Sequence, residues 1–131
     1  NETDYINDSK ATNIDSVIVA INTYKQPIIL ILGGFNKGAN FRLLLPHIKS
    51  NHVRDIVSYG DAGGQINTAL GDAVRSVQVT DLSSAVKKAQ LMAAPGDIVL
   101  LSPGCASYDE FSNFEERGNH FKSIIKNLET S

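Results

Sequence analysis

The chain has no tryptophan, one methionine, one cysteine and four prolines in 131 residues. Each shortage excludes something. Cys105 stands alone, so no internal disulfide can form, which suits a reducing compartment. His47, His52 and His120 show no metal-ligand spacing, and a zinc centre needs more ligands than they provide, so no metal site is expected. Neither charge sign dominates: twelve Lys and Arg oppose fourteen Asp and Glu, for a net charge of −2. That lacks the basic footprint of nucleic-acid binding. The longest aliphatic run is Ile28–Leu32, far short of the roughly 20 residues that span a bilayer. Neither a nucleic-acid nor a membrane partner is expected, and no signal-peptide pattern opens the chain.

What remains is ordinary globular composition, 42% apolar and 20% charged. The length suits one domain, able to bury roughly two-thirds of its unfolded surface without staples. Asn1 in place of Met suggests a piece cut from a longer chain.

Short apolar runs alternate with amphipathic stretches. Strands are expected at Tyr5–Asn7, Ile28–Leu32, Asp55–Tyr59, Ser76–Val79 and Ile98–Leu101. The second is unbroken Ile and Leu, as in a strand covered on both faces of a parallel sheet. Ile14, Val17, Ile18 and Ile21 mark one helical face, and Leu82, Ala85, Val86, Ala89 and Met92 another. Phe114, Phe121, Ile124, Ile125 and Leu128 mark a third. Weaker helical patterns cover Phe41–Lys49, with Pro46 an early-turn residue or a break, and Gln65–Leu70. The alternation predicts a three-layer, Rossmann-like α/β domain: an open, mostly parallel sheet with helices on both faces.

Ligands of such sheets bind beyond the carboxyl ends of the strands. The rim loops are then Asp8–Asn13, Gly33–Gly38, Gly60-Asp61 and Ser102–Ser107. Gly33–Gly38 carries Lys37 and matches neither the P-loop nor the dinucleotide fingerprint. It reads as an anion-binding turn or as a plain tight turn with a solvated lysine. In Asp8–Asn13, Thr12 or Asn13 suits a helix N-cap, while Lys10 and Thr12 at a helix start also suit a carboxylate or phosphate. Pro103-Gly104 signals a turn. Cys105 and Ser107 have no histidine in any rim loop to activate them, which favours a spectator thiol over a nucleophile. Periodicity alone puts Phe114 in the core, and the charges of Glu115, Glu116 and Arg117 read as a solvated first turn, with the acids suiting the helix N-terminus. Asp61 after a strand suits a phospho-accepting receiver poorly, because only Asp8 is available for its acidic cluster.

Three of these loops resemble a known family. Asn7-Asp8-Ser9-Lys10-Ala11-Thr12-Asn13 is similar to the segment that opens the C-terminal domain of the Mur ligases of peptidoglycan synthesis, in the branch that adds D-glutamate. Gly33-Gly34 through Lys37-Gly38 resembles that family's second loop. Leu100 through Ser107, then Asp109, Phe111, Asn113-Phe114-Glu115 and Arg117-Gly118-Asn119, resembles its third. Order and spacing match across nearly the whole chain.

The resemblance implies an ATP-dependent amide-bond-forming ligase. ATP phosphorylates the carboxylate of UDP-N-acetylmuramoyl-L-alanine. The D-glutamate amine attacks the acyl phosphate, and a tetrahedral intermediate loses phosphate. By the same resemblance Lys10, Thr12, Lys37, Ser107 and Phe114 would contact D-glutamate, Lys37 also lying near the transferred phosphate as the catalytic residue. Asp8 would hydrogen-bond the ATP ribose. Residues 1–131 would then be the C-terminal domain, slightly shortened at its start, without the UDP-binding and central ATPase domains. ATP and Mg2+ would serve the full-length, monomeric, cytoplasmic enzyme, with the metal ligands elsewhere and this chain inactive alone. Asn36 and Asn40 depart from the acids usual there, and Gly104 from a frequent alanine. The alternatives are a stand-alone Rossmann-like module for a nucleotide or anion, and a sister ligase for another amino acid.

Overall fold

The computed structural model describes residues 3–36, 38–50 and 52–129. Its sheet has five strands: β1 Asp4–Asn7, β2 Ile28–Gly33, β3 Val53–Tyr59, β4 Arg75–Gln78 and β5 Ile98–Gly104. They lie in the order β1-β5-β2-β3-β4, and every pairing is parallel. Parallel neighbours need crossovers. These are α1 Ile14–Thr23, α2 Leu45–Ser50 entered through a 3-10 turn at Phe41–Leu44, α3 Gly63–Leu70 and α4 Leu82–Met92. A last helix, α5 Phe114–Glu129, follows β5.

The central strands explain the three layers. Successive side chains of a strand point to opposite faces, so an unbroken apolar run must be covered twice. Ile28, Leu30 and Leu32 of β2 join one core with Val17 and Ile21 of α1, Ile48 of α2 and Ile66 of α3. Ile29 and Ile31 join the other, with Val86 and Ala89 of α4 and Phe121 and Ile124 of α5. The Rossmann-like architecture expected from the alternation is present, and its sheet is wholly parallel.

Local chemistry sets the element ends. Asn13 Oδ1 accepts from the Ser16 N–H at 2.9 Å, and Asp81 Oδ1 from the Ser84 N–H at 2.8 Å. These are the N-caps of α1 and α4. Asn13, not Thr12, therefore caps α1, and the Thr12 side chain stays outside the cap. Pro46 is the second residue of α2, where a missing N–H costs nothing. The turn expected at Pro103-Gly104 is instead the end of β5. Pro103 has no N–H for the ladder, and the β2–β5 register shifts there, bringing Gly33 opposite Gly104.

At the amino ends of the strands, buried Asp55 accepts from Arg75 Nε at 2.6 Å and from Arg54 Nε at 3.2 Å. Arg54 also pairs with buried Asp97 at 2.7 Å. This clasp joins β3, β4 and the entry to β5 on the rim opposite the glycine loop.

Candidate functional site

The strand order reverses between β2 and β5, the place where ligands of such sheets bind. Two backbone contacts hold the glycine loop, one to the segment after β5 and one to the turn after β3. Phe35 N–H donates to the Ala106 carbonyl at 2.8 Å, and Ala62 N–H to the Gly34 carbonyl at 3.0 Å. Position 34 must be glycine: its φ is +124°, and a Cβ would lie 2.4 Å from the Ala106 carbonyl oxygen.

A cleft of about 340 Å³ opens here, lined by Thr12, Asn13, Phe35, Gly38, Ala39 and Ala106 among others. It adjoins a second of about 420 Å³ whose lining includes Thr12, Asn13, Ala106, Ser107, Asn113 and Phe114. Thr12, Asn13 and Ala106 line both, so the two form one groove from the glycine loop to the start of α5. Three of the expected D-glutamate contacts, Thr12, Ser107 and Phe114, thus share a cleft. Thr12 is exposed, whereas Ser107 is buried in its floor.

The other expected site residues are placed differently. Lys10 is exposed and lines a separate hollow of about 230 Å³ with Asn7, Lys122 and Phe114. Phe114 and Glu115 line both this hollow and the larger cleft, so the two adjoin at the start of α5. Asp8 is half-buried beneath the rim, where its Oδ2 accepts from the Ser102 hydroxyl at 3.2 Å. Lys37, the expected catalytic residue, lies outside the described residues.

Two expectations for the start of α5 fail. Phe114 is not core: it is 39% exposed. It is the first residue of α5, and the core contacts of that helix come further along, at Phe121 and Ile124. Arg117 is not solvated: it is fully buried. Its Nε donates to Ser9 Oγ at 3.0 Å, one terminal nitrogen to the Ser9 carbonyl at 2.7 Å, and the other to the Cys105 carbonyl at 2.9 Å. Ser9 Oγ in turn donates to the Phe114 carbonyl at 2.7 Å. Among the described residues Arg117 has no ion-pair partner, and three oxygen acceptors, the Ser9 hydroxyl and the Ser9 and Cys105 carbonyls, take its place. Sequence reasoning missed this residue because Glu-Glu-Arg reads as a charged surface turn. The one available signal was its place in a family-like segment.

Cys105 is buried, and burial pushes its thiol up to about 12 despite the nearby Arg117 charge. It stays a thiol at neutral pH, which agrees with the spectator reading. The groove therefore offers no activated nucleophile. It offers hydroxyls at Thr12 and Ser107 and side-chain amides at Asn13 and Asn113, groups that can donate to an anionic ligand.

A family model described as Mur ligase, glutamate ligase domain, matches residues 1–105. It ends short of Ser107, Phe114 and Arg117. Among curated proteins, a UDP-N-acetylmuramoylalanine–D-glutamate ligase of Chlamydia caviae is 47% identical over 125 residues, covering 95% of this chain and 30% of that protein. Those of Clostridioides difficile (46% over 126 residues) and Pseudomonas fluorescens (43% over 128) each match 95% of the chain and 28% of their own length. The chain thus spans less than a third of the curated relatives it matches.

Proposed function

The chain belongs to the Mur ligase family, as its glutamate ligase domain, and on that premise we propose that it forms the D-glutamate-receiving part of a UDP-N-acetylmuramoyl-L-alanine:D-glutamate ligase. The observation that carries the reading is the convergence of Thr12, Ser107 and Phe114 on one cleft beside the glycine loop. D-glutamate brings two carboxylates and an amine. Hydroxyls at Thr12 and Ser107 and amides at Asn13 and Asn113 line this cleft and suit two carboxylates, and Lys10 in the neighbouring hollow, with Lys37 from the glycine loop, would add positive charge. Charge-assisted hydrogen bonds of this kind are the strong ones.

The chemistry is positional. The D-glutamate amine attacks an acyl phosphate made from ATP and the UDP-muramoyl-alanine carboxylate. Holding amine and acyl carbon together supplies much of the rate, and stabilising the developing negative charge supplies more. A groove without a nucleophile suits this reaction. Asp8 suits an ATP ribose: Ser102 occupies Oδ2 and orients the carboxylate. Mg2+ is a different matter. Among the described residues no three His, Cys, Asp or Glu side chains come together to hold a metal ion. No step through the metal is therefore assigned to this chain. The full-length protein is proposed to act in the cytoplasm as a monomer, and this chain alone to lack ligase activity.

The test is the full-length protein with ATP, D-glutamate and UDP-N-acetylmuramoyl-L-alanine. ADP release should require all three substrates, and Ser107→Ala should raise the KM for D-glutamate about tenfold, as for loss of one hydrogen bond to a charged group. ADP release that is indifferent to D-glutamate, or a preference for another amino acid, overturns the reading.

A further inference from the structure

The wall of the groove formed by Gly38 and Ala39 is glycine-rich backbone, and such backbone keeps one shape only where something ties it down. The tie is the side chain of Asn36. Its Oδ1 accepts from the Gly38 N–H and the Ala39 N–H, each at 2.9 Å. This is an Asx turn, closed by the side chain rather than by the backbone. The other half of the amide reaches outward: Nδ2 donates to Oε1 of Gln65 on α3. The Asn36 backbone N–H faces Asp61 Oδ2 at 3.4 Å. One residue thereby folds the end of the loop and fastens it to the helix that follows β3.

We propose that Asn36 is a positioning residue: it holds the Gly38–Ala39 wall of the groove against α3, in the place where an anionic ligand meets it. The role rests on the D-glutamate reading for its substrate but not for its geometry. The side-chain chemistry is specific. An amide offers an acceptor for the loop N–H groups and a donor for Gln65. A carboxylate keeps the loop bonds, and Gln65 can turn its own amide to donate to it. A methyl group offers neither.

Two measurements test this. In the chain itself, Asn36→Ala should speed amide hydrogen exchange at Gly38 and Ala39 about tenfold, with Asn36→Asp within about threefold of the parent. Gln65→Leu removes only the tether to α3 and should fall between them. In the full-length ligase, Asn36→Ala should raise the KM for D-glutamate about tenfold and leave the KM for UDP-N-acetylmuramoyl-L-alanine unchanged, and Asn36→Asp should restore it. A purely structural role would lower the melting temperature and spare this KM split. Unchanged exchange in Asn36→Ala overturns the tie. Faster exchange with an unchanged KM for D-glutamate overturns the positioning role. If the parent enzyme does not use D-glutamate at all, the substrate reading fails, and the exchange result still decides whether Asn36 holds the loop.

Discussion

Arg117 and Ser9 are joined twice, from Nε to the serine hydroxyl at 3.0 Å and from a terminal nitrogen to the serine carbonyl at 2.7 Å. The two residues are 108 positions apart in the chain. With the Cys105 carbonyl as its third acceptor, one guanidinium fastens the loop that carries Thr12 to the loop that carries Ser107. Ser9 passes the connection on to the Phe114 carbonyl.

Removing that fastening should be costly. Arg117→Met keeps most of the volume but leaves the Ser9 and Cys105 carbonyls without their donor, at a cost of about 3 kcal/mol. Arg117→Lys should recover only part of this, because an ammonium cannot reproduce the planar fork. Urea denaturation measures both. A loss below about 0.5 kcal/mol for the methionine variant would show that the loops hold themselves.

Tyr59 predicts the opposite sign. Its ring is buried, and among the described residues its hydroxyl has no hydrogen-bond partner. Burial also pushes the phenol well above its usual range, so it stays neutral in mildly alkaline solution. Tyr59→Phe removes an unsatisfied polar atom and should stabilise the chain by about 1 kcal/mol. A lower melting temperature for the phenylalanine variant would mean that the hydroxyl is satisfied.

The clasp around Asp55 predicts a pH dependence. Burial raises the carboxyl pKa, but the hydrogen bonds and charges of Arg75 and Arg54 outweigh it and hold the group below its ordinary value. A carboxyl depressed on folding contributes its stability above the unfolded pKa, about 4. That contribution is lost as the pH falls through the lower, folded value. The parent should therefore lose stability below about pH 4 more steeply than Asp55→Asn, which should already be weaker at pH 7. Parallel pH–stability curves for the two would remove Asp55 from the account.

Cys105 should be silent. With its thiol pushed up to about 12, almost none is thiolate at pH 8, and the side chain is buried. A chromogenic disulfide reagent should label the native chain at least about a hundredfold more slowly than the urea-unfolded chain. Comparable rates would place the thiol at the surface.

Much of the architecture was legible in order along the chain. The Ile28–Leu32 run suits a strand covered on both faces, and Ile14, Val17 and Ile21 share one face of a helix; the structure has both. From that alternation followed the parallel sheet, the rim and the loops that populate it. These are consequences of periodicity, a local property with a local physical cause. Where local signals tied, as between Thr12 and Asn13 for the α1 cap, the geometry of the entering turn chose between them.

What lay beyond the sequence was everything that depends on distant segments meeting. Glu115-Glu116-Arg117 has the charge pattern of a solvated turn, yet Arg117 is buried because two loops from opposite ends of the chain supply three acceptors for it. Phe114 continues an apolar stripe by spacing, yet as the first residue of α5 it stays exposed and lines the groove. Asn36 departs from a family acid, yet its amide is the piece that both the loop and α3 use. Side-chain periodicity determines which face of an element is apolar. Only the tertiary structure decides which buried polar atoms find partners, because those partners come from other elements.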